Sequence, residues 1–263
     1  MRKNFIHIYL PLLLSATLLI AACGPKDGED GPSGTESNPI VPVAEATIEV
    51  HNVTVVSRDL LLDPAKTQDE DSLLVSSFLY EGLVTVDAQG NIQPGIAESW
   101  TISDDELDYI FEINPAARFS DGSRISVDAL ADNFNRWFEP TSPLHGDGNF
   151  PGWLNRFLAF NGERGADDRA VSQVDGVQKV DINTFIVHLN RPEPQLLTYL
   201  AEPAFAILSP SALGNASYGT MQSTIISSGP YVITSWTDQG MTLTPNPQYW
   251  NAAAEDEVLL IWE

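Results

Sequence analysis

A hydrophobic period that switches repeatedly along the chain restricts its folding more than any other feature. At 126–138, Val127, Leu130, Phe134, Trp137 and Phe138 fall on one helical stripe. Ser126 can cap that helix and Asp128 sits in its first turn. Pro140 stops it, because proline lacks the N–H that a helix would use. On either side the period drops to two. Tyr109, Phe111 and Ile113 alternate within 107–113, and Phe185, Val187 and Leu189 alternate within 184–189, so both runs are expected strands. Other strands are expected at 46–56, 231–234, 241–244 and 258–262, with a further run at 174–180. Leu73, Leu74, Phe78 and Leu79 predict a helix over 72–84, and Leu196, Leu197 and Leu200 predict one after Pro194. Residues 88–91 should turn, 139–165 should be loop, and Pro64 should hold Asp63 extended. Interleaved strands and helices point to an α/β, mixed α+β, fold.

The first 22 residues stand apart from this pattern. Arg2 and Lys3 precede a mostly apolar stretch from Phe5 to Ile20, which closes on Ala21-Ala22. That is the layout of a secretory signal peptide. Pro11 and His7 interrupt it, whereas a membrane-spanning helix needs about 20 clean apolar residues. Cys23, the single cysteine of the chain, follows directly. Ile20-Ala21-Ala22-Cys23 resembles the bacterial lipobox, in which the cysteine carries lipid and becomes the new N-terminus. With one cysteine there is neither an intramolecular disulfide nor a multi-cysteine metal site. Residues 24–45 are rich in Gly, Pro, Ser and acidic side chains and cannot bury enough apolar surface to fold, so a disordered tether is expected there.

Charge narrows the partners. The 263 residues include 36 acidic and 13 basic ones, a formal charge of −23. Nucleic acid is excluded as a partner, since phosphate binding needs clustered Lys and Arg. Adsorption to anionic lipid headgroups is disfavoured for the same reason.

The common catalytic signatures are missing: no G-x-S-x-G, no H-E-x-x-H, no P-loop and no G-x-G-x-x-G after a strand. Of the four histidines, His7 lies in the signal, while His51 and His188 lie in strand-like runs. His145-Gly146-Asp147 offers two metal donors without a third. Asp104-Asp105-Glu106 and Asp167-Asp168 are carboxylates in polar turns, where solvation is the ordinary role.

Several short motifs follow one another in a fixed order. They are Leu62-Asp63-Pro64-Ala65, Tyr80-Glu81-Gly82-Leu83, Pro94-Gly95-Ile96-Ala97-Glu98-Ser99-Trp100 and Phe119-Ser120-Asp121-Gly122-Ser123. Ser228-Gly229-Pro230-Tyr231, Trp236 and Asn246-Pro247-Gln248-Tyr249-Trp250 complete the series. From about residue 46 onward the chain resembles the family 5 extracellular solute-binding proteins, the peptide and nickel receptors of ABC importers. Each motif also has a structural use: Asp121-Gly122 supplies a turn, Trp100 and Trp250 anchor cores, and Gly229-Pro230 bends the backbone.

The resemblance implies a periplasmic-binding-protein-like type II first lobe carrying an inserted small domain at about 79–178. Full-length members continue into a second lobe, which is expected to be missing here. The implied domains are a signal peptide at 1–22, lipidated Cys23 with its tether at 23–45, and a partial solute-binding domain at 46–263. Implied partners are a peptide or other small solute, ABC permease subunits, and the membrane through the lipid anchor, on the outer face of the bacterial cytoplasmic membrane. No cofactor, metal or catalytic residue is implied. Solute contacts are expected from Thr67, Gln68, Asp69 and Glu70, and from Ser227, Ser228 and Gly229, where Ser227-Ser228 replaces the family's usual Gly-Thr. Two other readings stay open: a remnant that no longer binds solute, and a surface hydrolase or metalloprotein using His145 and the Asp-rich loops.

Overall fold

The computed structural model describes residues 52–263 apart from Ala216 and Gln222. The expected signal, Cys23 and tether, and the first part of the strand expected at 46–56, lie outside the described residues. In chain order the elements are β1 (Asn52–Val56), α1 (Glu70–Leu79), β2 (Val84–Val86), β3 (Ile92–Pro94), β4 (Ala97–Ile102), β5 (Asp108–Ile113) and α2 (Val127–Phe138). They continue with α3 (Pro151–Phe157), β6 (Val174–Lys179), β7 (Thr184–Leu189), α4 (Leu196–Leu200), β8 (Tyr231–Trp236), β9 (Gly240–Pro245) and β10 (Val258–Trp262).

Two four-stranded sheets organise these elements, one ordered β1-β10-β9-β8 and the other β4-β5-β7-β6. The first joins the beginning and the end of the described chain, with β1 parallel to β10 and Val56 opposite Trp262. The second is wholly antiparallel and is built from intervening chain, with Phe111 opposite Phe185. Period-two alternation decides which side chains enter each core. In the first sheet Val56, Met241, Leu243 and Leu260 are buried with Leu62, Val75, Leu79 and Leu208. The other face of its β1 edge is open: Val53 and Val55 are 55% and 56% exposed.

The second core is aromatic. Phe134 of α2 lies 5.3 Å from Phe185, and Trp137 packs edge-on against Phe205 at 5.6 Å. Trp153 and Phe157 of α3 complete this cluster. Ser126 caps α2 by accepting from Ala129 N–H, as its sequence predicts. Truncating one such buried ring typically costs about 3–5 kcal/mol, so packing rather than intrinsic propensity holds α2.

Two expectations need correction. The helix expected at 72–84 runs over Glu70–Leu79 instead. It starts earlier because the Asp69 carboxylate caps it, accepting from Ser72 N–H at 2.7 Å. It stops earlier because Tyr80 is extended and Gly82 presses on α4, where a Cβ would lie 2.7 Å from the Leu200 carbonyl oxygen. Residues 139–165 are not all loop: α3 forms there, with Pro151 at its first position and Trp153 and Phe157 on one face. The chain between α1 and β5 also holds a tight hairpin, β2–β3, whose turn is built on Asp87 with Gly90 at φ +87°.

Candidate functional site

The first expected contact loop rises from a rigid base. Asp63 is extended, as Pro64 requires, and accepts from both terminal nitrogens of Arg136 at 2.9 Å. These two side chains are only 9% and 4% exposed. Around them, Tyr80 donates its hydroxyl to Leu62 O at 3.1 Å and accepts from Tyr218 at 2.9 Å. Burial raises the pKa of both phenols, so they act here as hydrogen-bonding groups and stay protonated. The Arg136 guanidinium also lies over the Phe150 ring at 5.6 Å.

From this base the chain runs into the four expected contact residues. Thr67 is half-buried and its hydroxyl accepts from Asp69 N–H at 3.0 Å. Gln68, Asp69 and Glu70 are exposed, and one Asp69 oxygen is engaged in capping α1. Gln68 and Glu70 therefore present polar ends to solvent, on a backbone fixed from both sides.

The second expected loop is buried and heavily bonded. Ser228 donates its hydroxyl to Ile207 O at 2.7 Å and accepts from Glu81 N–H at 3.1 Å. Gly229 N–H donates to Leu79 O at 2.9 Å, and Asn246 donates its amide to Gly229 O at 2.8 Å. A Cβ at Gly229 would sit 2.9 Å from the Leu79 carbonyl carbon and from Tyr80 N, so only glycine permits that approach. Ser227 N–H donates to the Ser120 hydroxyl at 2.9 Å, and Ser120 N–H returns a bond to Ser227 O at 2.8 Å. The Ser227 hydroxyl is left buried without a partner.

The two loops are not brought together. Asp69 caps the start of α1 and Gly229 binds its last residue, and ten helical residues separate them by about 15 Å.

Glu81, which the sequence presents only as part of Tyr80-Glu81-Gly82-Leu83, has a chemistry that the motif does not reveal. It is 8% exposed and its carboxylate accepts from the Tyr249 hydroxyl. Burial pushes the Glu81 carboxyl up to about 7, and the Tyr249 bond pulls the other way. Burial and the neighbouring Glu81 charge both drive the Tyr249 pKa upward. The only available sequence signal was a carboxylate inside the run Phe78–Val84, whose other members are mostly apolar.

His145 is buried between the Phe150 and Phe160 rings. Its Nδ1 lies 2.8 Å from Arg136 O, which can only accept, so that nitrogen carries the proton. Among the described residues no three His, Cys, Asp or Glu side chains gather as a metal site would require.

Residues 91–259 match the bacterial extracellular solute-binding proteins, family 5 Middle. This chain belongs to that family. Curated relatives include the periplasmic oligopeptide-binding protein OppA of Salmonella typhimurium, 29% identical over 196 residues, covering 73% of this chain and 35% of OppA. The periplasmic murein peptide-binding protein MppA of Escherichia coli is 26% identical, with the same coverage of 73% and 35%. The family 5 chain thus spans about 35% of the length of these curated relatives. Among solved structures, Helicobacter pylori DppA in complex with the peptide STSA aligns with a TM-score of 0.67 at 22% identity, covering 81% of this chain and 42% of DppA. HbpA2 from Haemophilus parasuis aligns with the same TM-score of 0.67 at 25% identity, covering 81% and 42%. The fold is accordingly that of part of a type II periplasmic binding protein, mixed α/β as its sequence predicts. Family 5 solute-binding proteins are transport receptors rather than enzymes.

Proposed function

We propose that this chain is the solute-capturing portion of an exported receptor that delivers peptides or comparable small solutes to an ABC permease. Family membership over residues 91–259 carries the reading, supported by the alignment with a peptide-bound relative. In this reading Cys23 is lipidated after residues 1–22 are removed. The anchor holds the protein at the outer face of the cytoplasmic membrane. The sheet β4-β5-β7-β6 with α2 is the inserted small domain, an assignment that extends its expected span of 79–178 to Leu189.

Solute contacts are assigned to Thr67, Gln68, Asp69 and Glu70 at one end of α1, and the buried turn of Ser227, Ser228 and Gly229 is assigned to back the solute at the other. An extended peptide covers about 3.3–3.6 Å per residue, so four to five residues bridge roughly 15 Å. Gln68, Asp69 and Glu70 supply exposed polar groups, and the exposed acids suit a ligand amine. Ser228 and Gly229 are already engaged within the fold, so their part is to position the turn that a peptide would lie against. The buried Ser227 hydroxyl is the one side-chain group in that turn with bonding capacity to spare.

Small-ligand sites of this kind enclose ~70–90% of the ligand's surface. A chain supplying about half the contacts of a micromolar site, about −8 kcal/mol, retains about −4 kcal/mol, a millimolar affinity. Titrating the isotope-labelled chain with tri- to pentapeptides into the millimolar range, followed by amide chemical shifts, tests this. Saturable shifts gathered on 67–70 and 227–229 are expected; flat titrations at those amides remove the two loops from the site.

A further inference from the structure

Glu81 stands where four stretches of chain meet. Its N–H donates to Ser228 Oγ at 3.1 Å and its carbonyl accepts from Ile207 N–H at 2.9 Å. Its carboxylate holds the Tyr249 hydroxyl, while Asn246, three residues earlier, donates to Gly229 O at 2.8 Å. The end of α1, the segment at 207, the turn at 227–229 and the segment 246–249 are thereby tied at one residue and its neighbours.

The groups facing that carboxylate are few. The 246–251 segment brings Tyr249, whose hydroxyl is the one ionisable partner. The 227–229 turn brings the Ser228 hydroxyl, already engaged with Ile207 O. Residue 207 meets Glu81 through the backbone, with Ile207 N–H donating to Glu81 O. No Lys, Arg or His among the described residues pairs with Glu81. A carboxylate in this position is favoured in its neutral form, because ionising it away from water costs more than one phenol hydrogen bond returns.

We propose that Glu81 and Tyr249 form a proton-operated latch: while Glu81 is protonated, segment 246–249 stays fastened to the 227–229 turn, and loss of that proton loosens the joint. Burial pushes the carboxyl up to about 7, which places the change near neutrality. The latch is a property of the fold and needs no solute, so its fate is separate from that of the solute-binding reading.

Thermal unfolding of the full chain from pH 4.5 to 8.5, wild type beside Glu81→Gln, tests it, since both proteins carry the same histidines. The Tm advantage of the variant should grow from near zero at pH 4.5 to roughly 5–10 °C at pH 8.5. Tyr249→Phe, compared with its own Glu81→Gln double variant, removes the bond that pulls the carboxyl down, so the midpoint should move to higher pH. Amide exchange at Gly229 and Asn246, corrected for intrinsic pH dependence, should be slower at pH 6 than at pH 8 in the wild type. That reading stays available if Glu81→Gln does not fold. Parallel pH profiles for wild type and Glu81→Gln, an unmoved midpoint in Tyr249→Phe, or pH-independent exchange at those amides would each overturn the latch.

Discussion

Asp63 precedes α1 and Glu81 follows it, and the two buried carboxylates are accommodated in opposite ways. Asp63 meets a guanidinium that matches it atom for atom, with two bonds of 2.9 Å. Glu81 meets only a phenol, and its burial is accommodated by raising its affinity for a proton. An ion pair of this kind is a permanent fixture, because removing either partner leaves a bare charge in a site that water cannot reach. A proton-dependent contact is conditional, since the solvent can supply or withdraw the proton. The two ends of one helix therefore differ in what their carboxylates meet: a matching cation at the Asp63 end, and a lone phenol with a proton to gain at the Glu81 end.

The largest effect expected from breaking this contrast is at the ion pair. Arg136→Met should cost about 3–5 kcal/mol in denaturant unfolding, since it strands the Asp63 charge. Adding Asp63→Leu should recover most of that loss, because apolar packing can replace a buried pair. If the single variant unfolds like wild type, Asp63 is solvated and the comparison collapses.

Next in size comes Glu81→Gln. Its folded pKa, about 7, exceeds the ordinary value of 4.5. The folded state therefore binds more protons between those values, and its stability falls as pH rises through that window. Relative to wild type the variant should gain on the order of 3 kcal/mol above pH 7 and nothing at or below 4.5, read from paired unfolding curves.

A smaller loss is expected at Ser228→Ala, which leaves Glu81 N–H and Ile207 O unpaired in the interior. About 1–3 kcal/mol should go, with little change across pH. A loss that grew with pH would mean that Ser228 belongs to the latch rather than to the scaffold.

Much of the fold was legible because its signals are local. α2 announces itself through Ser126, Asp128 and a stripe of large residues, and β5 and β7 through strict alternation. α3 was hidden because Trp153 and Phe157 form one short pair among Gly146, Gly148 and Gly152, too few turns for a period to register. The early end of α1 depends on Gly82 meeting the Leu200 carbonyl, a contact 118 positions away in sequence that no local pattern encodes. The site divides along the same line. The positions 67–70 and 227–229 are expectations that the family resemblance alone supplies, and the bonding that already occupies Ser228 and Gly229 has no trace in the sequence. Arg136 falls outside the apolar stripe of α2 and reads as a solvated cation, yet it is 3% exposed because Asp63 covers it. Buried polar pairs are set by tertiary partners, and their sequence trace is slight.

In the proposed function an extended peptide lies between the two ends of α1. Photo-crosslinking with a pentapeptide carrying a light-activated group at either terminus, mapped by mass spectrometry, tests that most directly. Adducts are expected on residues 67–70 from one probe and beside 227–229 from the other, both competed away by unlabelled peptide at millimolar concentration. Adducts scattered over the surface, or confined to other segments and indifferent to competitor, would contradict it.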